Sequence, residues 1–163
     1  MPLLSEPAAA LLPSLPQAAP ETTPLTPTKT NLQSVRVLVA EDNAVNQLLV
    51  RRMFEKLGIR IDLAANGLEA VEMATELKYD IIFMDCSMPE LDGYEATALL
   101  RDRHRGARIP IIALTANAMS EDRARCLNAG MDDHLTKPVR LEDIRSALVR
   151  WVLEAPAPKS SAA

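Results

Sequence analysis

The stretch Ile81-Ile82-Phe83-Met84-Asp85-Cys86-Ser87-Met88-Pro89-Glu90-Leu91-Asp92-Gly93 decides how this chain is read. Its apolar start, Ile81 to Met84, has no polar face, which suits a strand covered on both sides. Asp85 ends that run, just before a turn containing proline and glycine. A carboxylate closing a buried strand is not there for packing. Three other polar signals stand at similar strand ends: Glu41-Asp42, Thr115 and Lys137-Pro138. Together they describe one site, with acidic groups for a metal, a carboxylate to accept a phosphoryl group, and a hydroxyl and an ammonium to hold it.

Outward from this stretch, strands and helices alternate. Val35 to Ala40 is a β-branched run that ends in acids. Ala44 to Leu57 carries Val45, Leu48, Leu49 and Phe54 at helical spacing, with Gly58 as a C-terminal stop. Ile59 to Ala64 reads as a second strand. Asn66 is placed to cap the next helix, with Glu69 three residues on, and that helix runs to about Leu77. Ile81 to Met84 is the third strand, and Tyr94 to about Arg103 a helix stopped near Gly106. Ile109 to Leu114 is the fourth strand, and Ser120 is read as the cap of a helix ending before Gly130. Asp133-His134-Leu135 is a short fifth strand. Leu141 to Val152 closes the pattern with Leu141, Ile144, Leu148, Trp151 and Val152 on one stripe. The expected fold is α/β, a doubly wound five-stranded parallel sheet with helices on both faces. In such folds ligands bind beyond the carboxyl ends of the strands, where the four polar signals fall.

Composition sets the limits. The chain has 163 residues, enough for one domain plus tails. Residues 1–34 hold seven of the twelve prolines and no glycine, so they read as an extended, disordered linker. The domain is expected over 35–153, and 154–163 as a flexible tail. The net charge of −4 gives no global sign of nucleic acid or an anionic membrane as a partner. No apolar run approaches the ~20 residues of a membrane span, and no charged leader precedes the N-terminal apolar stretch. The unpaired spacing of Cys86 and Cys126 reads as free thiols in a reducing cytoplasm.

At this point the residues carry a resemblance. Val37 to Asn43, Met84 to Gly93, Ala113-Leu114-Thr115-Ala116-Asn117-Ala118 and Leu135-Thr136-Lys137-Pro138 resemble the receiver domain of two-component response regulators. The details Glu41 to Asn46 and Asn117-Ala118 are most similar to receivers attached to hybrid sensor histidine kinases. The resemblance implies a flavodoxin-like strand order of 2-1-3-4-5. It also implies roles. Asp85 is the phosphoacceptor, taking a phosphoryl group from a partner phosphohistidine as an acyl phosphate. Asp42 and Asp85 bind Mg²⁺ directly, Glu41 acts through water, and the Ser87 backbone carbonyl supplies another oxygen. Thr115 donates its hydroxyl to the phosphoryl group, Ala116 leaves room, and Lys137 supplies a point charge. Pro138 fixes the loop after Lys137, in the family through a cis peptide bond. His134 stands where many members have the aromatic switch residue, Tyr or Phe. This departure bears on how phosphorylation reaches the face built by the fourth helix, fifth strand and fifth helix.

The expected partner is the dimerisation domain of a histidine kinase or a histidine phosphotransfer domain. Val45, Leu48 and Leu49 are assigned chiefly to the core, with any exposed member beside the site, Val45 and Leu48 above all, forming a docking patch. Arg101, Arg103, Arg105 and Arg108 read as a solvated basic helix end, and the methionines as core and loop filler. The chain has no ATP-binding segment, so it is read as a phosphoacceptor module of a hybrid kinase. It is expected to be cytoplasmic, including as the inner part of a membrane-bound sensor. The alternatives are a stand-alone single-domain regulator and a non-phosphorylated docking or dimerisation receiver. An aspartyl-phosphate hydrolase is disfavoured, because its Asp-x-Asp-x-Thr pattern belongs after the first strand.

Overall fold

A computed structural model describes residues 31–103, 108–117 and 119–153. The linker expected over 1–34, residues 31–34 apart, lies outside the described residues. So do the tail over 154–163, His104, Arg105, the Gly106 stop and Ala118.

The strands are β1 (Val37–Ala40), β2 (Ile61–Ala64), β3 (Ile81–Asp85), β4 (Ile111–Thr115) and β5 (Asp133–Thr136). The helices are α1 (Ala44–Lys56), α2 (Gly67–Glu76), α3 (Gly93–Arg103), α4 (Ser120–Ala129) and α5 (Leu141–Leu148). All pairings are parallel, in the order β2-β1-β3-β4-β5 that the resemblance implies. The register sets Val39 beside Phe83 and Asp85 beside Leu114.

Successive strand side chains point to opposite faces, so each central strand feeds two cores. Leu38, Ala40, Ile82, Met84, Ile111 and Ala113 pack against α2, α3 and α4 through Val71, Leu100 and Cys126. Val37, Val39, Ile81, Phe83, Ile112 and Leu114 pack against α1 and α5 through Phe54, Ile144 and Leu148. Phe54 and Phe83 meet edge to face, with centroids 5.5 Å apart. β1, β3 and β4 are buried throughout, as two-sided coverage requires, whereas the edge strands β2 and β5 are half-buried.

Local signals explain the element ends. Gly58 follows α1 with φ 75°, a left-handed turn that suits glycine. Asn66 Oδ1 accepts from the Glu69 backbone N–H at 2.8 Å. The Glu69 carboxylate reaches back to the Ala65 N–H, one residue before the cap itself.

Several boundaries differ from the expected ones. Leu32–Ser34 forms a 3-10 turn capped by Asn31, and Leu32 packs on the α1/α5 core, ahead of the expected start at Val35. β2 starts at Ile61, because Ile59 is buried but precedes the ladder. β4 is shifted to Ile111–Thr115, since Pro110 has no N–H to give and the Ile109 carbonyl is taken by Arg101. Met119, not Ser120, holds the cap position of α4, and it makes no side-chain cap bond. After Leu148 the chain continues as a π turn over Val149–Leu153, with Trp151 Nε1 donating to Asp133 at 3.0 Å.

The basic cluster needs the largest correction. Arg101 is not a solvated helix end: it lies half-buried, donating to the Gly130 and Ile109 carbonyls and to Asp132 Oδ2 at 2.7 Å. Arg108 donates to Asp132 Oδ1 at 2.6 Å, and the Ile111 N–H donates to Oδ2 at 2.9 Å. Asp132 therefore ties α3, the approach to β4 and the entry to β5 together. Asp132→Ala strands a half-buried guanidinium. The expected cost is about 3 kcal/mol, read as a lower denaturation midpoint. A loss below about 1 kcal/mol would show that the cluster holds nothing together.

Candidate functional site

The parallel sheet brings the ends of β1, β3, β4 and β5 to one edge. Glu41 follows β1 and is 1% exposed, with its backbone N–H donating to the Ala64 carbonyl of β2. Its backbone carbonyl accepts from Gln47 Nε2 at 2.6 Å, which fixes the strand end to α1. Asn43 Oδ1 accepts from the N–H groups of Val45 and Asn46, capping α1, while the Asn43 N–H donates to Glu41 Oε1. Asp42 lies exposed between them.

Asp85 ends β3 and is 3% exposed. Its Oδ1 accepts from the Ser87 N–H at 3.1 Å, and its Oδ2 from Lys137 Nζ at 2.9 Å. Lys137 Nζ also donates to Glu41 Oε2 at 3.1 Å, so one ammonium spans two buried carboxylates. Burial works against that ammonium, but its bonds to Asp85 and Glu41 outweigh it and hold the Lys137 pKa above the ordinary lysine value. The group is a cation at neutral pH. The Lys137 backbone N–H donates to the Thr115 carbonyl at 2.7 Å, and the Lys137–Pro138 peptide bond is cis, as the resemblance implies.

Glu41, Asp42 and Asp85 each offer a carboxylate oxygen, and these oxygens lie within 4.8 Å of one another. The set can hold a hard divalent ion, because every donor is oxygen. Gly93, at the start of α3, has no room for a side chain: a Cβ there would stand 2.3 Å from the Asp85 carbonyl. The turn after Asp85 is thus pressed directly onto α3. An open cleft of about 420 Å³ runs beside it, lined by Asp42, Cys86, Ser87, Met88, Pro89, Asp92, Tyr94 and Arg125.

The expected residues do not all converge. Thr115 is 4% exposed at the right strand end, but its hydroxyl donates to the Asn117 carbonyl at 2.7 Å. Ala116 is exposed beside it. His134 sits on β5 opposite Ala113, its N–H donating to its neighbour Asp133. Val45, Leu48 and Leu49 are not core: they are 73%, 53% and 49% exposed. The buried stripe of α1 is Val50 and Phe54, and at 100° per residue the other three fall on the opposite face. Met119, assigned to filler, is likewise exposed. Asn43 was legible as a cap, being an Asn directly before a helical run. Tyr94 and Arg125 carry no such local signal, since only the fold brings them to the cleft.

The doubly wound sheet thus carries three carboxylates and a lysine at its carboxyl edge. Residues 37–149 match the response regulator receiver domain, and the chain belongs to that family. It is 43% identical over 126 residues to hybrid signal transduction histidine kinase G of Dictyostelium discoideum, a match covering 75% of this chain and 4% of that protein. Among solved structures, it is similar to the receiver domain of the sensor histidine kinase PA1611 from Pseudomonas aeruginosa PAO1. That domain has a magnesium ion coordinated in its active site cleft. The two share 47% identity and a TM-score of 0.68, over 72% of this chain and 97% of that one. A second similar structure is the receiver domain of the response regulator Ssk1, co-crystallised with the histidine phosphotransfer protein Ypd1 of Saccharomyces cerevisiae. Identity is 34% and the TM-score 0.71, over 76% of this chain and 93% of that one. The chain spans between 4 and 15% of the length of the first curated relatives, which are histidine kinases. Among the described residues, no helix is long and apolar enough to cross a membrane.

Lys137→Ala leaves the Glu41 and Asp85 carboxylates facing each other without a cation. Lys137 is itself 28% exposed, so the expected loss is below that of a fully buried pair, about 2 kcal/mol in EDTA. Mg²⁺ is expected to recover most of it by binding the folded form. A variant as stable as the wild type in EDTA would contradict the bridging role.

Proposed function

We propose that this chain is a phosphoacceptor receiver module, taking a phosphoryl group from a phosphohistidine of a partner onto Asp85 with Mg²⁺. The observation that supports this most is the Lys137 ammonium, held 2.9 Å from Asp85 and 3.1 Å from Glu41 beside the three-carboxylate cluster. In the step, an Asp85 carboxylate oxygen forms a bond to phosphorus. The bond from phosphorus to the histidine nitrogen breaks, and the electron pair leaves with the imidazole.

Glu41, Asp42, Asp85 and the Ser87 carbonyl would hold the Mg²⁺, which offsets the charge of the phosphoryl oxygens when bound. Lys137 already touches the acceptor carboxylate and needs little movement to meet a phosphoryl oxygen. The Ser87 N–H orients Oδ1. Thr115 must release the Asn117 carbonyl before its hydroxyl can donate to the product. Ala116 offers no bulk to block that approach, and Pro138 holds the loop behind Lys137. His134 then fills the switch position with a smaller apolar surface than Tyr or Phe.

The partner would be a histidine phosphotransfer domain or a kinase dimerisation domain. Val45, Leu48 and Leu49 give α1 an exposed apolar face directly after Asp42, suited to a helix of that partner. The histidine kinase relatives support a hybrid kinase as the parent protein, with this module on the cytoplasmic side, where a kinase draws on ATP.

The test is transfer from a phosphotransfer protein labelled on its histidine. Label should move to this chain and not to Asp85→Ala. Leu48→Glu should slow that transfer by about tenfold or more, well beyond any change in phosphorylation by a small donor. Equal slowing with both donors would remove α1 from the docking surface, and label on Asp85→Ala would sink the assignment.

A further inference from the structure

A single peptide links Glu41 to Asp42, two of the three residues whose carboxylates form the candidate metal site. β1 ends one residue earlier, at Ala40, which pairs with Ala64 of β2 and Met84 of β3. The Glu41 N–H still reaches the Ala64 carbonyl at 3.0 Å. The Glu41 carbonyl lies beyond that ladder, on a residue only 1% exposed. A buried carbonyl needs a donor, and one left without a partner is costly. The donor comes from α1. Gln47, half-buried and fourth in that helix, sends its side chain back past Asn43, and its Nε2 donates to the Glu41 carbonyl at 2.6 Å.

We infer that Gln47 is a positioning residue for the metal site, holding the peptide between Glu41 and Asp42 and so the point from which the Asp42 carboxylate reaches the ion. The inference rests on the Mg²⁺ site of the proposed function. A peptide unit is planar, so a bond that fixes its carbonyl also fixes the Cα atoms on either side. One of these carries the Glu41 side chain, whose oxygens are held separately. Oε1 accepts from the Asn43 N–H and Oε2 from Lys137 Nζ, each at 3.1 Å. The other carries Asp42, whose side chain is exposed at the edge of the cleft. The backbone therefore has to place Asp42, and Gln47 holds that backbone.

The helix is a firm support for this bond. Asn43 Oδ1 caps it through the N–H groups of Val45 and Asn46, and the Gln47 N–H donates to the Asn43 carbonyl at 2.9 Å. Further along, Val50 and Phe54 bury its inner stripe against the sheet. Gln47 thus ties two metal-site residues to an element anchored in the core. A merely structural bond would change how stable the fold is, and not how tightly the folded protein holds its ion. A positioning bond changes that affinity, because partners that orient metal ligands set the geometry the ion meets.

The experiment compares the full chain with Gln47→Met by Mg²⁺ titration calorimetry, well below the melting temperature of either, and by phosphorylation from a small phosphoryl donor. Methionine keeps the length, the neutrality and the helix preference of glutamine and removes the donor. Gln47→Met is expected to weaken Mg²⁺ binding by about tenfold, the lower end of the effect of such partners. Half-maximal phosphorylation should need about tenfold more Mg²⁺ for the same reason. The maximal rate should stay at the wild-type value, because the bonds to Asp85 from Ser87 and Lys137 remain. Val50→Ala is the control: it cuts the buried stripe of α1, lowers the melting temperature and should leave Mg²⁺ affinity unchanged. Wild-type Mg²⁺ affinity in Gln47→Met, or an equal weakening in Val50→Ala, would overturn the inference. A wild-type chain that binds Mg²⁺ with this dependence on Gln47 but takes no phosphoryl group would support the inference and overturn the proposed function. A wild-type chain that binds no Mg²⁺ would overturn both.

Discussion

The Lys137 ammonium holds together two carboxylates, Glu41 and Asp85, that are almost wholly buried and would otherwise repel each other. Much of the structure serves to make that contact possible. Three strands must end at the same edge: β1 to deliver Glu41, β3 to deliver Asp85, and β5 to deliver Lys137. A parallel sheet does this without special devices, because every strand ends on the same side. The rest of the edge follows from it. Asn43 fixes the backbone after Glu41, the Ser87 N–H fixes Asp85, and the Thr115 carbonyl fixes the loop that carries Lys137.

The sheet stays rigid for an ordinary reason: its central strands are apolar on both faces. Each residue of β3 before Asp85 is buried against one helical layer or the other. A carboxylate at the end of such a strand cannot relax into water by bending the strand, and so its partners come to it. The two helical layers have different work. α1 and α5 cover one face, and α1 also presents an unburied apolar ridge beside Asp42. α2, α3 and α4 cover the other face, and Gly93 presses the start of α3 onto the turn after Asp85.

Most of this was legible in the chain itself. Element types followed from apolar periodicity, and the site from polar residues at strand ends. The strand order and the cis bond before Pro138 came from the resemblance, not from the pattern. What was missed has a common cause. Arg101 looked like a member of a basic helix end because its partner Asp132 lies 31 positions away, and sequence spacing does not show such a pairing. Val45, Leu48 and Leu49 looked like core because apolar spacing marks a stripe on α1 without saying which stripe faces the sheet. Val50 and Phe54 do, with Met53 packed beside them. Ser120 looked like a cap, but the extended residue before the helix is Met119, whose weakly accepting thioether makes no cap bond. Tyr94 and Arg125 lie far apart in the chain and meet only after α3 and α4 have packed on the same face.

On the function proposed above, Asp85 accepts a phosphoryl group in a site prepared by Lys137 and an oxygen-ligated cation. It is tested most directly by the intact mass of the protein after incubation with a small phosphoryl donor and Mg²⁺. One added phosphoryl group is expected, absent when EDTA replaces Mg²⁺ and absent in Asp85→Ala. Addition that persists in Asp85→Ala, or no addition although Mg²⁺ binding is measured separately, would contradict it.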